Sequence, residues 1–86
     1  MILHNNGIYI STKELMSWLG RSLNTVYNWR SIIDPPIPCE NWGERYFYEV
    51  EAVRSWIIDE RGWKDPGYPD GYSEYLESLE ELEEEE

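Results

Sequence analysis

The chain has 86 residues, with a mean hydropathy of -0.68 and 41% hydrophobic residues, among them five Trp, seven Tyr and one Phe. That is enough for one small core, which needs roughly 60 residues, and it excludes a multidomain enzyme. Seven Lys plus Arg stand against 18 Asp plus Glu, for a net charge of -11, so the chain does not hold a polyanion by bulk attraction. The charge is unevenly placed. Residues 1–33 sum to +2, residues 34–65 to -4 and residues 66–86 to -9, the last without one basic residue.

Met1 to Gly7 lacks the basic start and apolar core of a signal peptide, and no apolar run approaches the roughly 18 residues of a membrane span. The expected N-terminus is mobile, with His4 in it. Cys39 is the single cysteine, so an internal disulfide is excluded and a reducing, cytoplasmic compartment is expected. No His or Cys neighbour stands at metal-ligand spacing. Cys39 reads as inert, because no cation or base beside it in sequence lowers its pKa.

After the apolar stretch Ile8-Tyr9-Ile10, Ser11-Thr12-Lys13-Glu14 has the spacing of a capping box, which predicts a helix over Thr12 to Leu19. Leu15, Trp18 and Leu19 form its apolar stripe, and Gly20 suits the left-handed residue that ends a helix. A second helical pattern follows at once, capped by Asn24 or Ser22, with Leu23, Val26, Trp29 and Ile33 spaced for burial. Two short helices joined at a glycine turn suggest helix-turn-helix. The opposite face offers Asn24, Tyr27, Asn28 and Ser31, with Thr25 and Arg30 beside them.

Asp34-Pro35-Pro36-Ile37-Pro38 forbids helix. Ile37 to Cys39 and Arg45 to Tyr48 then read as two strands around the turn Glu40-Asn41-Trp42-Gly43-Glu44, a two-stranded wing. Glu49 to Arg61, with Val50, Val53, Trp56 and Ile57 on one stripe, predicts a third helix ended by Gly62. The expected organisation is a domain over 1–61, a Gly/Pro linker over 62–71 and an acidic amphipathic tail over 72–86. The tail aligns Tyr72, Tyr75, Leu76, Leu79 and Leu82 on one stripe. Its terminal glutamates oppose the helix dipole, so the expected tail frays unless a partner orders it.

Arg21-Ser22-Leu23-x-Thr25-Val26-x-x-Trp29, the prolines Pro35-Pro36-x-Pro38, and Gly43-Glu44-Arg45-Tyr46-Phe47-Tyr48-Glu49-x-x-Ala52-Val53 together resemble the small winged-helix proteins of phage excisionases across about residues 8–58. The pattern is also similar to AlpA-type regulators, to the broader MerR-like superfamily, and to the DNA-binding domain of some phage small terminase subunits. The fold class this implies is α+β, mostly α: a winged helix-turn-helix of three short helices and a two-stranded wing, with the acidic segment appended.

The resemblance implies a second helix in the major groove of double-stranded DNA and a wing along the backbone or in the minor groove. It implies an architectural protein of the bacterial cytoplasm that bends DNA, binds neighbouring sites cooperatively and contacts a recombinase, with no catalysis and no cofactor. Its reading positions fall on Asn24, Tyr27 and Asn28, and Thr25 and Ser31 share that helix. Asn24 and Asn28 suit adenine, although Asn24 alternatively serves only as a helix cap. Lys13, Arg21, Arg30 and Arg45 are the expected phosphate contacts.

Trp42 beside Gly43 at the wing tip either enters the minor groove, meets a neighbouring subunit, or folds back on the domain. The tail stripe either folds over the reading face or recruits a protein partner such as a recombinase or polymerase, and recruitment is the favoured expectation. Two alternatives stand beside DNA binding: an acidic protein-interaction module on the same fold, either a DNA mimic or a binder of a host or phage protein, and a small-terminase-like packaging subunit.

Overall fold

Asn5 and Asn6 adopt φ of 50° and 65°, the paired left-handed conformations that a tight two-residue hairpin needs. They join β1 (Ile2–His4) to β2 (Gly7–Ser11), pairing Ile2 with Tyr9, Leu3 with Ile8 and His4 with Gly7. This hairpin replaces the expected mobile N-terminus and puts His4 on a strand. The computed structural model describes residues 1–84, with side chains through Glu80.

Helix α1 (Thr12–Leu19) has the predicted bounds. Ser11 Oγ accepts from the Glu14 backbone N–H at 3.2 Å, and Glu14 Oε1 accepts from the Ser11 N–H at 3.1 Å. Gly20 ends the helix with φ of 64° and ψ of 40°. Helix α2 (Leu23–Ser31) is capped by Ser22, whose Oγ accepts from the Thr25 N–H at 3.2 Å. Asn24 is therefore not the cap. Leu23, expected in the core, is 56% exposed, because it opens the helix ahead of the buried pair Val26 and Trp29.

The expected first wing strand moves from residues 37–39 to β3 (Glu40–Trp42). Pro36 and Pro38 lack the N–H a ladder requires, and the N–H of Ile37 is used elsewhere, donating to the Trp29 carbonyl at 2.9 Å. Ile37 is still buried, as a plug under α2. Strand β4 (Arg45–Glu49) pairs with β3 through Trp42–Arg45 and with β2 through Ile10–Tyr48. The result is one four-stranded antiparallel sheet in the order β1-β2-β4-β3, not an isolated two-stranded wing. Gly43, at φ of 71°, takes the first central position of the two-residue β3–β4 turn.

Glu49 caps α3 (Val50–Ser55), its Oε2 accepting from the Ala52 N–H at 3.2 Å. The chain continues with π-helical geometry over Trp56–Glu60 and stops before Gly62, at φ of 66°. Residues 62–69 hold no helix or strand. They are tied down nonetheless: Arg54 donates to the Gly67 carbonyl at 3.0 Å and to both carboxylate oxygens of Asp65 at 3.0 and 2.9 Å. The last element is helix α4 (Tyr72–Glu84), so the chain described is a small α+β fold with four helices and one antiparallel sheet.

One sheet face and the helices enclose the core: Ile8, Ile10 and Tyr48 from the sheet, Leu15, Val26, Trp29, Val53 and Trp56 from the helices. Trp29, Trp56 and Trp63 pack mutually, with ring centroids 5.5–5.7 Å apart. Tyr72 belongs to the same cluster, and Tyr75 and Leu79 pack against it, so burial continues past residue 61. No helix described is long and apolar enough to cross a membrane.

Burial pushes the Glu14 carboxyl up, but the Ser11 backbone N–H, the nearby N-terminal ammonium and the Ser11 side chain together hold it below its ordinary value of 4.5. A group depressed on folding contributes stability that is present above its unfolded pKa and lost as pH falls through its folded one. Urea denaturation at a series of pH values should therefore show stability declining below about pH 4.5. Glu14→Gln should be less stable than the parent at neutral pH and should decline less steeply in that window.

Candidate nucleic-acid interface

Strand alternation sends Tyr46 and Tyr48 of β4 to the helix side of the sheet and Arg45 and Phe47 to the other. Tyr48 is fully buried, yet its hydroxyl has partners on two helices. Arg30 Nη1 of α2 donates to Tyr48 Oη at 3.2 Å, and Thr12 Oγ1 of α1 shares a hydrogen bond with it at 3.3 Å. The Arg30 guanidinium also lies 3.9 Å above the Tyr46 ring and 5.9 Å from that of Tyr27. These contacts fasten α2 to the β3–β4 hairpin.

An open groove of about 540 Å³ lies along that seam, lined by Lys13 of α1, Leu23 and Arg30 of α2, and Arg45, Tyr46 and Phe47 of β4. Three of the four expected phosphate contacts, Lys13, Arg30 and Arg45, thus line one groove, Arg45 bordering it from the start of β4 at the hairpin edge, with Glu44 as the one acid of the lining. Lys13 and Arg45 are exposed and Arg30 is half-buried. The Arg30 Nε–H is buried with no acceptor among the described residues. Arg21 lies apart from this seam. It lines a second groove of about 290 Å³ with Lys64, Trp18, Trp29 and Trp63.

Beside the first groove, Asn24, Tyr27 and Ser31 are exposed and Asn28 is half-buried. Neither Asn side chain makes a hydrogen bond among the described residues. Thr25 differs, since its hydroxyl is engaged with Ser22 Oγ at 3.1 Å in the helix cap.

Trp42 is not the wing tip. It ends β3, stacks on Phe47 at 4.4 Å and 24°, and touches Tyr9 and His4 at 5.1 and 4.8 Å. Of the three expectations for Trp42, folding back onto the domain describes its position, and Gly43 and Glu44 form the tip. The tail stripe is likewise largely used within the chain. Tyr72 is buried, Tyr75 and Leu79 are half-buried, Leu76 is 38% exposed, and the side chain of Leu82 lies outside the described residues.

The Cys39 thiol is exposed, and desolvation pushes it above its ordinary value while Arg30 only partly offsets this. Among the described residues, no group of three His, Cys, Asp or Glu side chains is placed to hold a metal ion. Thr12, Tyr46 and Tyr48 are the site residues that sequence reasoning missed. The alternation Arg45-Tyr46-Phe47-Tyr48-Glu49 carried the signal, since it puts two tyrosines on one strand face.

Comparison of the chain with protein-family models, with curated proteins and with solved structures gave no significant match.

Removing the Tyr48 hydroxyl leaves a partly buried Arg30 N–H and the Thr12 hydroxyl without this partner, which costs about 1–3 kcal/mol. Tyr48→Phe should lower the urea midpoint accordingly. In the Arg30→Met background the same substitution should cost clearly less, and equal costs in both backgrounds would remove Arg30 from this role.

Proposed function

We propose that this protein is a non-enzymatic, sequence-specific binder of double-stranded DNA, built as a winged helix-turn-helix in which α1 and α2 form the helix pair and the β3–β4 hairpin the wing. The observation that carries the reading is that Lys13, Arg30 and Arg45 all line one groove beside an uncharged hydrogen-bonding face of α2. Cations at the rim suit phosphates, and amides and hydroxyls between them suit base edges. Helix α2 enters the major groove, and the wing follows the adjacent backbone. The resemblance to phage excisionases and AlpA-type regulators supports a role in recombination or transcription on mobile DNA.

Helix α4 has a different role in this account. Tyr72, Tyr75 and Leu79 of its apolar side are used within the chain, and it presents Glu74, Glu77 and Glu80, all exposed, to a basic protein partner such as a recombinase or polymerase. The same carboxylates and the net charge of -11 are the observations that favour the second reading, an acidic protein-interaction module without DNA binding.

Fluorescence anisotropy on mixed duplex fragments, across a salt series, tests the first reading. With Arg30 held by Tyr46 and Tyr48, two phosphate contacts, Lys13 and Arg45, give a log-log salt slope of about -1.8, and Lys13→Ala or Arg45→Ala should each weaken binding and flatten the slope by about 0.9. Arg21→Ala, in the other groove, should change neither. A folded protein that binds no DNA but forms a stable complex with a basic protein would replace this reading by the second.

A further inference from the structure

Base edges in the major groove differ in the chemistry they demand. Guanine is met by paired donors from Arg or Lys on O6 and N7, cytosine by a carboxylate on N4, adenine by an Asn or Gln amide on N6 and N7, and thymine by apolar contact with its methyl group. The outward face of α2 consists of Leu23, Asn24, Tyr27, Asn28 and Ser31. It holds no carboxylate. The helix's single cation, Arg30, borders this face beside Tyr27 and is engaged by its contacts with Tyr46 and Tyr48. The two amides have no partner within the described chain, and the two large apolar groups beside them are 56% (Leu23) and 52% (Tyr27) exposed.

Such a face lacks the groups for guanine and cytosine and offers both groups for an A·T pair. We propose that α2 reads A·T base pairs, with Asn24 and Asn28 each taking an adenine through N6 and N7 and with Leu23 and Tyr27 packing on thymine methyls. This rests on the DNA-binding reading above and adds the composition of the target. Asn24 and Asn28 are one helical turn apart, about 6 Å along the axis, which spans about two base-pair steps. The target core is thus a short A·T run with no required G·C pair, flanked by phosphates held by Lys13 and Arg45.

Selection from a randomised duplex pool with the full chain, followed by anisotropy on the selected site, tests the proposal. The expected consensus is A·T-rich over three or four adjacent pairs. Replacing a contacted thymine by uracil, which removes only the C5 methyl, should weaken binding about 4-fold. Replacing a contacted adenine by 7-deazaadenine removes the N7 acceptor, and roughly a 5- to 150-fold loss is expected where a full amide pair is broken. Asn28→Ala should bind more weakly and abolish the 7-deaza penalty at one position while keeping it at the other.

A consensus with a required G·C pair overturns the proposal and leaves DNA binding standing, as does retention of DNA with no consensus. An A·T-rich consensus insensitive to both modified bases also overturns it, since the preference would then come from the minor groove or from DNA shape. Recovery of no DNA by the folded protein overturns this proposal and the DNA-binding reading together.

Discussion

The hydroxyl of Tyr48 is the point on which the arrangement turns. A fully buried phenol must satisfy its oxygen, and here it does so with Thr12 at the start of α1 and Arg30 near the end of α2. One strand residue thereby sets the positions of both helices relative to the hairpin. Arg30, held at one end by that hydroxyl and beneath by the Tyr46 ring, cannot swing out freely, so the seam between helix and hairpin is preorganised. Lys13 and Arg45 reach its rim from α1 and β4, which are fixed by the same contacts.

The charge distribution follows from this geometry. Bulk attraction cannot draw a protein of net charge -11 to DNA, so the proposed affinity rests on a few placed cations and on direct contacts from α2. The acidic excess is gathered past residue 65, and among the residues with described side chains Glu74, Glu77 and Glu80 stand exposed on α4. Arg54 fixes the segment leading there: the Gly67 N–H and the Arg54 guanidinium hold the Asp65 carboxyl below its ordinary value. Tyr72 then anchors the first turn of α4 in the core. Glu74, Glu77 and Glu80 therefore stand on a helix whose first turn is anchored in the core.

Local chemistry was the legible part of the chain. The Ser11–Glu14 capping box, the left-handed Gly20, the Pro35–Pro38 break and the stripe of α3 each depend on residues within one or two turns, and they place α1, α2 and α3 closely. What was hidden depends on distant partners. Asn5-Asn6-Gly7 is a turn signal, but β1 exists because β2 is also paired to β4 on its far side. Ile37 looked like a strand residue because it is apolar, whereas its N–H goes to the end of α2. Leu23 matches the helical stripe and is exposed because it opens α2 ahead of the buried Val26 and Trp29, beside an open groove. A five-residue turn would centre on Trp42 and leave its ring in solvent, whereas the turn is Gly43-Glu44 and Trp42 covers the outer sheet face. The expected phosphate set divided for the same reason, since spacing along the chain does not tell that Arg21 and Arg30 line different grooves.

The central claim is that the outward face of α2 and the groove beside it form a DNA-contacting surface. Backbone amide shifts of the 15N-labelled protein, followed during titration with mixed duplex DNA at low salt, test it residue by residue. The account predicts perturbations concentrated at Lys13, Asn24, Tyr27, Asn28 and Arg45, with α4 and the outer-face residues Tyr9 and Trp42 left near their free positions. Perturbations confined to α4 or to the outer sheet face, or none under conditions where the protein is folded, would contradict it.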